Sequence, residues 1–174
     1  MKGKEKSRFH WSKHYSGWIW IPRIIVVFLI LHLFIGMGRV PSASMEPTLN
    51  VGDLVLYQKK TDSYEIGEVI RFQVNGEQMV KRIAAAPGDV IETDGISIWI
   101  NGIDYTGVSI QEDLSNPLSE IKLQKNEYYV IGDNHGNSID SRIYGPVKVE
   151  NIMGKAFWKL MPFGNIEDRE IPQE

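Results

Sequence analysis

Asp94-Gly95-Ile96-Ser97-Ile98-Trp99-Ile100-Asn101-Gly102 is a strand-forming run bracketed by two turn-forming dipeptides. β-branched and aromatic side chains fit a pleated, half-buried surface. Asp-Gly and Asn-Gly supply the positive φ angles that tight hairpins require. The stretch therefore predicts an antiparallel meander. On either side the same pattern recurs in apolar runs at residues 54–57, 69–74, 79–86, 90–93, 128–131 and 152–160, each short and bounded by turn residues. Runs of this length read as strands rather than helices. No internal repeat interrupts them. Residues 106–120 read as an irregular connection, and 162–174 as a polar C-terminal tail.

A chain of 174 residues with 43% hydrophobic content has room for one modest domain. Ahead of the strands stands a different kind of segment, WIWIPRIIVVFLILHLFIGMGRV at 18–40, close to the roughly 20 apolar residues that cross a bilayer core. Arg23 lies near enough to its start to snorkel to the headgroups, and Trp11, Trp18 and Trp20 resemble an interfacial belt. A transmembrane helix over 18–40 is the expectation. A buried core helix or a cleaved leader ending at Ser42-Ala43-Ser44 are the alternatives.

Charge orients this segment. Residues 1–17 hold Lys2, Lys4, Lys6, Arg8 and Lys13 against Glu5 alone, whereas from Pro41 onward 21 Asp and Glu face 12 Lys and Arg. By the positive-inside rule the N-terminus is cytoplasmic and the remainder extracytoplasmic. The expected plan is a basic cytoplasmic tail at 1–17, a membrane helix at 18–40, a β domain at 41–161 and the tail at 162–174. An acidic domain argues against nucleic acid as a partner. With no cysteine, disulfides, thiolate nucleophiles and Cys-ligated zinc are excluded.

Three segments carry candidate chemistry. In Pro41-Ser42-Ala43-Ser44-Met45-Glu46-Pro47-Thr48-Leu49 the serines read as turn residues or as nucleophiles, and a serine nucleophile needs a base. His135 is the one histidine expected on the same side of the membrane as these serines. Lys81 is the other option, because in the apolar strand beginning Met79-Val80 desolvation lowers an amine's pKa toward neutrality. The plainer reading makes Lys81 and Arg82 a solvated pair. The third segment, Gly132-Asp133-Asn134-His135-Gly136-Asn137-Ser138-Ile139-Asp140-Ser141-Arg142, reads as a polar turn or a loop for a divalent cation, with spacing unlike an EF-hand.

Together, PSASMEPTL at 41–49, GDLVL at 52–56, VKRIAAAPGD at 80–89 and GDNHGNSIDSR at 132–142, in this order behind an apolar segment, closely resemble the bacterial signal peptidase I family. The short domain is similar to the Gram-positive form. The resemblance implies a serine endopeptidase of the Ser-Lys type, with Ser44 as nucleophile and Lys81 as general base. It places Ser42 in the oxyanion hole with the Ser44 amide, lets Ser138 orient Lys81, and makes Asp140 and Arg142 a supporting ion pair. It also implies an extended, barrel-like β fold, cleavage after Ala-X-Ala sites in exported preproteins at the plasma membrane, and no metal or cofactor. His135-Gly136 departs from the Arg-Asp or Arg-Asn often found there. Relatives of the endoplasmic reticulum carry His at the position of Lys81, so lysine favours the Ser-Lys type. A non-catalytic single-pass protein with a partner-binding β domain is the competing class. A self-cleaving repressor would need a DNA-binding segment that this chain lacks.

Overall fold

A computed structural model describes residues 18, 20–59, 61, 63–93, 97–105, 119–161 and 163–166. It divides into two units, Met1–Phe34 and Ile35–Glu174. In the first, α1 spans Trp20–Phe34, and its apolar side chains among the described ones are exposed, Trp20 at 58% and Phe34 at 64%.

The single helix expected over 18–40 is corrected here. At 1.5 Å per residue, 15 residues rise about 22 Å, short of a hydrocarbon core of about 30 Å. Among the described residues no helix is long and apolar enough to cross a membrane. The chain instead enters a strand, β1 (Ile35–Arg39), antiparallel to β2 (Leu54–Lys59) in unbroken register from Ile35 opposite Gln58 to Arg39 opposite Leu54. Gly36 and Gly38 explain the switch. Glycine weakens a helix by about 1 kcal/mol relative to alanine, while the strand ladder satisfies the same backbone groups. At Gly38 a Cβ would lie 3.1 Å from Arg71 Nη1 and 3.2 Å from the Tyr57 ring.

The second unit is mainly β. Its further strands are β3 (Val69–Val74), β4 (Glu77–Ala85), β5 (Val90–Thr93), β6 (Ile98–Ile100), β7 (Ile103–Asp104), β8 (Ser119–Lys122), β9 (Glu127–Ile131), β10 (Val147–Lys148), β11 (Ile152–Met161) and β12 (Phe163–Asn165). The larger sheet runs β1-β2-β11-β3-β4-β9-β10, with β12 folded onto β11, and the smaller runs β7-β6-β5-β8. The expected meander forms, β6 pairing antiparallel with both β5 and β7. Asn101 and Gly102 take φ of 52° and 79° at the β6–β7 turn. The other turn, Asp94-Gly95, lies outside the described residues, as do 1–17, 106–118 and 167–174. The sheet runs past the expected boundary at 161, since β12 adds a strand and Ile166 is buried.

Asn75 and Gly76, with φ of 52° and 86°, close a two-residue hairpin between β3 and β4. β4 is the strand that positions the site. Its first residues pair only with β3 among the described strands, but from Arg82 onward it is also paired with β9. Val80 to Ala85 are all buried, Lys81 and Arg82 among them. Tyr64, Ile70, Phe72, Ile83, Tyr128 and Val130 form one core cluster, while Val40, Met45, Leu49, Val55 and Val80 form another beneath the chain that leaves β1.

Candidate active site

After β1 the chain is locked by Val40 N–H donating to the Asp53 carbonyl and Gly52 N–H donating to the Val40 carbonyl, both at 2.9 Å. Ser42 is extended, and a single 3-10 turn follows over Ala43–Met45. Met45 and Leu49 fix that turn by burying their side chains, at 1% and 0% exposure. Ser44 is thereby turned inward at 5% exposure, while Ser42 stays at the surface. Its hydroxyl lies 3.2 Å from that of Ser44.

Lys81 approaches from β4, and its Nζ donates a hydrogen bond to Ser44 Oγ. Burial lowers the Lys81 pKa from 10.5 to about 8, against the pull of the Asp140 carboxylate, which raises it. The Arg142 guanidinium lowers it further, and Asp133 raises it. Burial dominates because removing an ammonium from water costs more than a carboxylate at a distance returns. A hydroxyl bonded to an amine that is substantially neutral near pH 8 can pass its proton to that amine.

The segment after β9 braces both side chains. Asp133 receives Arg82 through two bonds, Nε to Oδ1 at 2.8 Å and Nη2 to Oδ2 at 2.7 Å, and accepts Thr48 Oγ1 at 2.5 Å. Arg82 also donates to the Gly67 carbonyl at 2.6 Å. Arg82 thus joins the strand of Lys81 to the turn that follows Ser44. It is not the solvated neighbour of Lys81 that the Lys-Arg pair suggests, since its side chain is 3% exposed. Asn134 N–H donates to the Ser44 carbonyl at 3.0 Å, and its side-chain amide donates to the Ala43 carbonyl at 3.1 Å. Gly132 sits where a Cβ would lie 2.5 Å from the Ser44 carbonyl oxygen and nearer still to Ser138 Oγ. No other residue fits there without displacing the backbone.

Asp140 and Arg142 pair at 2.7 Å, with side chains 0% and 4% exposed. Burial alone would raise the Asp140 carboxyl, but hydrogen bonds from Arg142, the Gly132 N–H and Ser138 outweigh it and hold the pKa below the ordinary value. Ser138 Oγ donates to Asp140 Oδ2 at 2.6 Å. Ser138, which the family resemblance has orienting Lys81, thus donates its hydrogen bond to the carboxylate paired with Arg142. Guanidinium groups pair with both carboxylates of this loop, Arg82 with Asp133 and Arg142 with Asp140. Among the described residues no group of three or more His, Asp or Glu side chains is placed to hold a metal ion. His135 lines the cleft with its ring edge-on to Tyr105, centroids 6.4 Å apart, and burial lowers its pKa. Lys81, not His135, reaches Ser44.

These side chains open into a cleft of about 530 Å³, walled by Val40 to Ser42 on one side, by Glu77 to Lys81 on another, and by residues of the 135–143 segment.

A family model described as signal peptidase, peptidase S26, matches residues 13–161. The chain is 31% identical over 181 residues to signal peptidase IB of Staphylococcus aureus, spanning 88% of this chain and 94% of that protein. It is 28% identical over 175 residues to a probable signal peptidase I-2 of Synechocystis, spanning 91% of this chain and 80% of that protein. A crystal structure of a signal peptidase I from Enterococcus faecalis aligns with a TM-score of 0.42 at 24% identity, covering 55% of this chain and 98% of that one. The chain belongs to the signal peptidase family, peptidase S26. That family is one of peptide-bond hydrolases.

Proposed function

We propose that this protein is a membrane-bound serine endopeptidase that removes N-terminal signal peptides from exported preproteins after Ala-X-Ala-type sites. The observation that carries the reading is the hydrogen bond between Lys81 Nζ and Ser44 Oγ at the wall of the cleft. Ser44 Oγ attacks the carbonyl carbon before the scissile bond as its proton passes to Lys81 Nζ. The C–N bond then breaks, the leaving amine takes the proton, and an ester remains on Ser44. Water, deprotonated by Lys81, hydrolyses that ester and frees Ser44. The oxyanion is held by the Ser42 hydroxyl and the Ser44 N–H, the latter in the first turn of its 3-10 segment, where N–H groups lack intrahelical partners.

The substrate lies extended in the cleft. The outer edge of β1 and the edge of β4 from Glu77 to Lys81 are both unpaired among the described strands. Such edges accept an added strand. The exposed apolar side chains of α1 support the reading of a membrane anchor in this part of the chain. The basic residues before Trp18 support a reading with the N-terminus in the cytoplasm and the β unit outside.

The test is incubation of the purified full chain with a preprotein carrying an Ala-X-Ala site, followed by mass spectrometry of the product. A mature N-terminus that begins directly after the second alanine supports the assignment. An intact preprotein, or cuts scattered through the mature sequence, would overturn it.

A further inference from the structure

We propose that Glu77 is a specificity residue, which favours a basic and disfavours an acidic side chain four residues from the substrate residue whose carbonyl is attacked. The inference rests on the proposed endopeptidase reading and adds to it a charge preference remote from the scissile bond.

The register of β3 against β4 is continuous from Val74 opposite Glu77 to Val69 opposite Arg82, with no bulge. Side chains of a regular strand alternate between faces, so Glu77, Met79 and Lys81 share one face. Opposite them on β3 stand Val74, Phe72 and Ile70. Exposure falls along this row, from exposed Glu77 through half-buried Met79 to buried Lys81. All three line the cleft, and along this stretch β4 has no strand partner on its outer edge among the described residues.

A substrate strand laid on that edge inherits the same period. The residue reacting beside Lys81 and the residues two and four places along share a face with Lys81, Met79 and Glu77 in turn. Met79 offers an apolar contact at the second step, and Glu77 offers a charge at the fourth. Among the described residues lining the cleft, Glu77 is the only carboxylate. The cationic groups there are engaged elsewhere, Lys81 with Ser44 and Arg142 with Asp140. Glu77 itself has no side-chain hydrogen bond or ion pair among the described residues. Four strand residues place it about 13 Å from Lys81, beyond the screening length of about 8 Å at physiological salt. Its field therefore acts on what lies beside it rather than on the catalytic amine.

The experiment measures kcat/KM of the purified full chain on peptides that carry Lys or Glu four residues before the scissile carbonyl residue, or four residues after it. A third pair places the charge three residues away on each side. A strand lies on an edge in one direction, so one of the two four-residue series should respond. An exposed charge pair is worth a few-fold, giving a Lys-over-Glu ratio of about three to ten. The ratio should fall toward one in Glu77→Gln, invert in Glu77→Lys, and fade near 1 M salt, where screening acts over about 3 Å. The three-residue series, facing the opposite side, should change less.

A ratio near one in both four-residue series, equal responses in both, or a ratio that persists in Glu77→Gln and Glu77→Lys, would overturn the proposal. Because each variant is judged by its own ratio between two peptides, a general loss of activity does not mimic the result. Failure of the native enzyme to cut any peptide would instead strike at the endopeptidase reading beneath it.

Discussion

Asn134 holds the backbone of Ser44: its N–H donates to the Ser44 carbonyl oxygen at 3.0 Å. Its side-chain amide holds the preceding carbonyl, that of Ala43, at 3.1 Å. The serine turn is thus pinned from the segment after β9, 90 residues downstream of Ser44.

Asn134→Ala keeps the backbone bond and removes the side-chain bond. One such hydrogen bond contributes about 0.5–1.5 kcal/mol to stability, so a small drop in melting temperature is expected. The larger effect is on kcat, because a misplacement of the nucleophile by about 1 Å costs as much as 10²-fold. Asn134 lines no part of the cleft, so KM should change little. Steady-state kinetics of the variant check this; a raised KM with normal kcat would assign Asn134 to substrate binding instead.

The lowered Lys81 pKa predicts two pH dependences. Only the neutral amine accepts the Ser44 proton, so kcat/KM should rise with pH through a midpoint of about 8. For stability, the folded pKa of about 8 lies below the ordinary lysine value of 10.5, so the folded chain binds fewer protons between these values. Stability should rise as pH climbs from about 8 to about 10.5, and at pH 7 the buried ammonium costs about 3 kcal/mol. Lys81→Met should therefore be inactive yet more stable at pH 7, with that alkaline gain abolished. Chemical denaturation of both proteins across this range provides the measurement.

Asp140 acts on Lys81 through charge, and its carboxylate raises the Lys81 pKa. Asp140→Asn should shift the midpoint of kcat/KM below that of the native enzyme. It also deprives the buried Arg142 of its carboxylate, at a cost of about 3–5 kcal/mol. A shift of the midpoint to higher pH would contradict the assigned electrostatics.

Much of the fold was legible because its turns are written in residues of fixed backbone preference. Asn101-Gly102 announced the β6–β7 hairpin, and the strands at 69–74 and 90–93 have the bounds their apolar runs suggested. Asn75-Gly76 carries the same signal for the hairpin that presents Lys81. Ile35–Arg39 was not legible. Its two glycines weaken the helix without naming a strand, and the pairing with β2 that makes it one lies elsewhere in the chain. At the site, residue type and resemblance brought out Ser44 and Lys81, but the partners of Arg82 and Asn134 depend on contacts 51 and 91 residues apart. Such pairings have no local signature. Ser138 shows a local pairing instead, its hydroxyl donating to Asp140 two residues away.

Ser42 distinguishes an oxyanion donor from a turn residue. Ser42→Ala should lower kcat by about 10²–10³-fold, equivalent to about 2.7–4 kcal/mol, with KM nearly unchanged. Ser42→Thr keeps the hydroxyl and should retain much of the activity. A turn role predicts instead a lower melting temperature with near-normal turnover.

Whether Ser44 and Lys81 act as one catalytic unit is decided by a double-mutant cycle on preprotein cleavage. Groups that act as a unit are strongly non-additive, since removing either one already forfeits the reaction path that needs both. Ser44→Ala, Lys81→Ala and the double variant, each shown to be folded, should fall to the same residual rate. Independent, additive losses, or a Ser44→Ala variant that still cleaves at a substantial rate, would contradict a single catalytic unit.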